Sequence, residues 1–278
     1  MPNFSASDAA LDGFQVIRTH WRVVLGWCLF SLLGFVGLVI LGFMVIAAAT
    51  LAAANRAQAD LFGGVAGGVV FGLGGAAIQW VVLAALYRLR LRPDGPPALY
   101  YLRLSRDEAR LFGLWLILLA LFAVLMTLGF LALRWLEPIS GLAAGMGTFA
   151  FLLVVAWLAL RLSLAGPANF ATGRFGLADS WRLTRGRVWA LVGMILLALC
   201  LLLLMFVVIF IVTAVIQAAI GGFHTLAPVS LSDPQALAER PGAYVFALIA
   251  ELVLAPLYLV ISQAPFAAAY KALAAEPT

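Results

Sequence analysis

Apolar residues in this chain do not alternate with polar ones; they gather into six long runs separated by short polar stretches. The runs cover about residues 23–48, 63–87, 111–134, 141–160, 188–220 and 243–270. A helix rises 1.5 Å per residue, so about 20 apolar residues cross about 30 Å of hydrocarbon. Every run meets that length, and a helix satisfies its own backbone hydrogen bonds where no water can. The pattern predicts an all-α integral membrane protein with six transmembrane helices, forming a single domain over residues 1–278.

Two further stretches read as helices lying in the membrane interface. Over about residues 7–21, Ala10, Phe14, Ile17 and Trp21 fall on one stripe, while Asp12, Gln15, Thr19 and Arg22 take other faces, and Ser7 is placed to cap the helix. The second covers about residues 174–187. Ala57-Gln58-Ala59 resembles a signal cleavage site, but the preceding run exceeds the roughly 7–15 apolar residues of a signal peptide, so an uncleaved anchor is expected. Asp94-Gly95-Pro96-Pro97 predicts a turn, with Tyr100 and Tyr101 suited to the interface, and Ser105 to Glu108 matches a capping box opening span 3. Pro138 is expected in a tight loop, Asp233-Pro234 at the start of a short surface helix, and Pro256 and Pro265 at bends in span 6.

Span 2 carries a stripe of small residues. Gly64, Gly68 and Gly72 recur every four residues along one face, followed by Ala76, and Gly63 and Gly67 repeat the spacing beside them. Small residues let membrane helices approach closely. Packing within the chain is expected there, with a homodimer seam as the alternative.

Composition agrees with the pattern: 65% of the residues are hydrophobic and only 10% charged, and mean hydropathy is +1.11. Net charge is +5, but the basic residues cluster at the ends of apolar runs, which marks membrane topology and speaks against nucleic-acid binding. With the N-terminus inside, the cytoplasmic segments hold 14 basic residues and the outer loops three, Arg56, Arg134 and Arg240. Both termini are therefore expected in the cytoplasm. Cys28 and Cys200 lie within apolar runs and read as small buried residues, and His20 and His224 fall on opposite sides of the predicted membrane. No metal or cofactor site is expected.

Two ends of the chain resemble each other. Asp12-Gly13-Phe14-Gln15-Val16-Ile17-Arg18 leads into VVLG, and Asp179-Ser180-Trp181-Arg182-Leu183-Thr184-Arg185 leads into ALVG, at an offset of 167 residues. Exit signals recur as YRLRLRP, LRLSLAGP and YKALAAEP after spans 2, 4 and 6. Three helical hairpins, related as parallel repeats, are the simplest account, with chance resemblance as the alternative. The stretch LRLSLAGPANFATGRFGLADSWRLTRGRVWALVG, with RLRLRPDGPPALYYLRLSRDEARLF, resembles the bacterial glycerophosphoryl diester phosphodiesterase membrane-domain family and related six-span inner-membrane proteins. The resemblance implies a membrane architecture in the bacterial inner membrane. In fused members of that family a separate soluble barrel carries hydrolysis, and this chain, ending at Thr278, is expected to lack it.

No catalytic constellation stands out: HExxH, GxSxG and paired intramembrane aspartates are all missing from the sequence. Glu251 is the one acid well inside an apolar run, with Tyr258 and Ser262 on its face. A carboxylate at that depth is either part of an ion or lipid pathway, or protonated and hydrogen-bonded to a neighbouring helix. Arg174, Arg182, Arg185 and Arg187, with Trp181 and Trp189, are candidate contacts for anionic headgroups, and setting the topology is the other explanation for their charge. The leading expectation is a non-enzymatic, lipid-contacting scaffold or accessory subunit, with a protein partner or homo-oligomer left open. A small ion- or lipid-linked transporter working through Glu251 is the alternative.

Overall fold

Polar residues between the apolar runs fix where the helices begin. The structure, a computed structural model, describes residues 5–53, 55–92, 98–103, 105–136, 140–221 and 238–275. The expectations for Asp94 to Pro97, Pro138, His224 and Asp233-Pro234 lie outside these residues. Ser5, not Ser7, caps helix α1 (Ala6–Thr19) by accepting from the Asp8 N–H at 3.3 Å. After His20 comes α2 (Trp21–Leu51), and Asn55 caps α3 (Arg56–Leu91), accepting from the Gln58 N–H at 2.9 Å. Ala57, Gln58 and Ala59 are thus helical.

A 3-10 turn, Ala98–Tyr101, precedes α4 (Arg106–Leu136). The expected capping box is present: the Ser105 N–H donates to Glu108 Oε2 at 2.8 Å, and the Asp107 N–H to Ser105 Oγ at 3.3 Å. Ser140 caps α5 (Gly141–Leu162). The short helix α6 (Ala165–Thr172) stops at Gly173, whose φ of +71° lies in the left-handed region that closes helices with glycine. Then come α7 (Leu177–Leu183), α8 (Val188–Gly221) and α9 (Pro241–Ala274), which starts on a proline. The interfacial stretch 174–187 is thus one short helix, α7, flanked by turns at Gly176 and Gly186. Among the described residues there is no strand, and α2, α3, α4, α5, α8 and α9 are long and apolar enough to cross a membrane. The fold is all-α and multi-pass.

These six helices form three hairpins, α2/α3, α4/α5 and α8/α9, each entered from short helical elements at one end of the bundle. Burial between hairpins is concentrated at that end. Val16, Trp27, the run Val82 to Tyr87, Leu111, Phe170, Val260 and Ala264 form one core; Ala9, Ala10, Leu164, Leu191, Met194 and Ala269 form a second. Toward the other end, close glycine contacts stay within each hairpin. Gly42 faces Phe71, Gly67 faces Ile46, Gly129 faces Phe151, and Gly242 faces Ile220. No residue of α5 is buried. Apolar side chains left outward need no further partner in lipid, where they are as well solvated as in a core.

Helix α1 differs from a surface-lying helix. It packs on α9, α8 and α2, and bridges the two cores through Ala9 and Ala10 on one side and Val16 on the other. Its buried face is Ala9, Ala10, Asp12, Gly13 and Val16, while Phe14 and Ile17 are half-buried and Trp21 is exposed at the start of α2. The expected stripe is therefore rotated, and Asp12 points inward. The cause is a crossing with α9: a Cβ on Gly13 would lie 2.6 Å from Ile261 Cα and 3.2 Å from its carbonyl oxygen. Pro265 has no N–H to offer the Ile261 carbonyl four residues earlier, so α9 presents bare backbone where α1 comes closest.

Candidate functional site

Arginines gathered at the end where the short helices lie fall into two groups. The first is committed to the fold. Arg90 pairs with the buried Asp12, tying α3 to α1. Arg88 pairs with Glu108 and donates to the Tyr101 carbonyl at 2.9 Å and to Ser105 Oγ at 3.1 Å. That bond, with one from Trp27 Nε1 to the Tyr100 carbonyl at 2.8 Å, holds the 3-10 turn, in which Tyr100 and Tyr101 both have positive φ. Such backbone costs about 1–3 kcal/mol per residue and persists only when neighbours determine it. Arg92 donates to the Phe170 carbonyl at 2.8 Å and stacks over the Phe170 ring, and Arg110 donates to the Gly173 carbonyl at 2.5 Å and to Asp107. These bonds fasten α6 beneath the ends of α3 and α4. Arg161 donates to Thr184 Oγ1 and lies against both the Trp157 and Trp181 rings, which meet edge to face at 5.2 Å.

The second group faces outward. Arg174 and Arg185 are exposed, with no side-chain partner among the described residues. Arg182 is exposed and pairs with Asp179 on its own helix at 3.2 Å, a surface pair that stabilises little. Arg187 is half-buried. Trp189 is 86% exposed and Trp181 is 41% exposed. Of the candidate headgroup contacts all but Arg187 are thus exposed, and Trp181 also packs against Trp157 of α5.

Glu251 lies at the surface of a lateral cleft of about 150 Å³ between α8 and α9, lined also by Thr213, Gln217 and Tyr258. Tyr258 shares the site as its spacing predicts. Ser262 does not: it is outside the cleft, and its hydroxyl donates to the Leu259 carbonyl of its own helix at 3.1 Å. The α8 side supplies two residues that inspection of span 6 alone does not find. Gln217 and Thr213, four apart in an otherwise apolar run, were the readable signal for them.

The small residues of span 2 divide between two faces. Gly63 and Gly67, with Gly74, pack on α2 as expected within the chain, whereas no described residue lies within 4 Å of a Cβ built at Gly64, Gly68 or Gly72. Cys28 is buried and its thiol donates to the Val253 carbonyl at 3.3 Å, while Cys200 is exposed rather than buried. His20 is exposed at the α1–α2 junction. Among the described residues, no three His, Cys, Asp or Glu side chains come together. Comparison with protein-family models, curated proteins and solved structures finds no match for this chain.

Proposed function

We propose that the protein is a non-enzymatic, lipid-contacting scaffold or accessory subunit of a bacterial inner membrane, with its basic end in the cytoplasmic leaflet. The observation that carries this is the division of the arginines. Five hold α1, the 3-10 turn, α4, α6 and α7 in place, while Arg174 and Arg185 present unpaired charge on the same segment of chain as the exposed Trp181 and Trp189. Interfacial tryptophan with free basic charge fits an anionic headgroup layer, where each such charge contributes about 1 kcal/mol. The resemblance to the glycerophosphoryl diester phosphodiesterase membrane-domain family supports the same reading, since what it implies for these residues is a membrane architecture.

The test is thermal unfolding in nanodiscs of defined lipid. Wild-type protein is expected to unfold at a higher temperature in phosphatidylglycerol than in phosphatidylcholine, and the Arg174→Gln/Arg185→Gln double variant to lose most of that increment. Equal unfolding temperatures in the two lipids for the wild type would sink the proposal.

The Glu251 cleft favours a second reading, a small ion- or lipid-linked transporter, because it sets a carboxyl beside Thr213, Gln217 and Tyr258 within the spans. In proteoliposomes a proton or cation flux through the wild type should vanish in Glu251→Gln, with unfolding temperature unchanged. Absence of flux in the wild type would remove this reading for the ions tried.

A further inference from the structure

A second lateral groove, of about 580 Å³, lies between α3 and α4 next to the basic end. Its walls are apolar: Leu73, Ala77 and Trp80 on one side, Ala109 and Phe112 on the other. The aromatic wall is braced, since Trp115 lies 5.9 Å from Trp80 and stacks on Phe112 at 5.8 Å between ring centroids.

The mouth of the groove is polar, with Ser105, Arg106 and Glu108. Two of the three are already engaged. Glu108 is paired with Arg88, and the Ser105 hydroxyl donates to Glu108 at 2.6 Å. The neighbouring Asp107 is bonded to Arg110 and Arg92. Arg106 is exposed and its guanidinium has no partner among the described residues, so the mouth carries uncompensated positive charge.

Length selects the occupant. From Leu73 to Val81 the groove follows α3 for about 12 Å at 1.5 Å per residue. That is close to the half of the roughly 30 Å hydrocarbon core that belongs to one leaflet. A partner's transmembrane helix would need a groove spanning both leaflets. An acyl chain needs one, and it arrives with its charged headgroup at the polar end.

We infer that this groove holds one acyl chain of a single anionic phospholipid, with its phosphate on Arg106. The inference rests on the lipid-contacting reading above and assigns it a specific site, separate from the Arg174 and Arg185 face. Trp80 and Phe112 give the chain a rigid wall, and the pairing of Glu108 with Arg88 removes the charge that would repel the phosphate.

Native mass spectrometry of the full chain in mild detergent, with added phosphatidylglycerol or phosphatidylcholine, reads the site directly. Wild-type protein is expected to retain one phosphatidylglycerol at collision energies that strip all other lipid. Ala77→Trp fills the groove and should abolish that adduct; Ala109→Trp fills it from α4 and serves where Ala77→Trp does not fold. Arg106→Gln should weaken the adduct about tenfold, as expected for loss of one charge-assisted bond. Arg174→Gln/Arg185→Gln should leave it intact. An adduct that survives both tryptophan substitutions, or equal retention of phosphatidylcholine, overturns the inference. Stabilisation by anionic nanodiscs without any retained adduct overturns this site alone, whereas no response to anionic lipid in either assay overturns the lipid-contacting reading with it.

Discussion

Asp12 keeps only 5% of its side-chain surface exposed, and its partner Arg90 keeps 31%. Taking a carboxylate out of water costs several kcal/mol, and the facing guanidinium offsets this only while it stays in place. The second carboxylate oxygen, Oδ2, has no partner among the described residues, so the compensation rests on Arg90. Arg90→Met is expected to destabilise the protein by about 2–3 kcal/mol, below the usual cost of breaking a buried pair because Arg90 is nearly a third exposed. Adding Asp12→Asn to Arg90→Met should recover most of that loss, since no charge then remains stranded. Unfolding of wild type, both single variants and the double variant in detergent completes the cycle. A double variant no more stable than Arg90→Met would show that the pair is not what holds α1 to α3. The same logic separates the two kinds of arginine here: Arg88, Arg92 and Arg110 bond to carbonyls or acids across elements, while Arg174 and Arg185 have room to meet a headgroup.

Among the elements, α1 departs furthest from its sequence pattern. Gly13→Ala would put a methyl carbon 2.6 Å from the Ile261 backbone, so α1 or α9 must shift, and a loss of about 1–3 kcal/mol is expected. Gly64→Ala meets no described residue within 4 Å and should be neutral or stabilising by up to about 1 kcal/mol, from helix propensity alone. Comparing unfolding temperatures of the two variants tests the placement of both helices; equal effects would contradict it. Six spans were legible because long apolar runs are a local signal, as is the capping box from Ser105 to Glu108 that opens α4, whereas the caps Asn55 and Ser140 emerge only with the structure. The direction of Asp12 was not, because it depends on Ile261, far along the chain, and on an α9 carbonyl left free by Pro265. Likewise, periodicity puts Gly64, Gly68 and Gly72 on one face without saying which face meets α2. Of the Glu251 stripe, Tyr258 followed from spacing, but Ser262 turned to its own backbone and Gln217 came from another span.

At the scale of the whole molecule, three hairpins are joined at one end, and toward the other the close glycine contacts lie within each hairpin. Where the parallel-repeat reading aligns Gly13 with Ser180, both are buried, Gly13 on α9 and Ser180 bonded to the Arg161 carbonyl at 2.7 Å. Their neighbours diverge, since Asp12 is paired across helices and Asp179 within its own. The joined end also carries nearly all the basic residues, so the account stands on which side of the membrane that end faces. The positive-inside bias is the ground on which we propose that it faces the cytoplasm. Reporter fusions at four positions measure this most directly. Fusions after Asp94 and after Ala178 are predicted to report cytoplasm, and fusions after Asp60 and after Ser232 the outer side. A fusion after Ala178 reporting the outer side, or any one of the four inverted relative to the others, would contradict it.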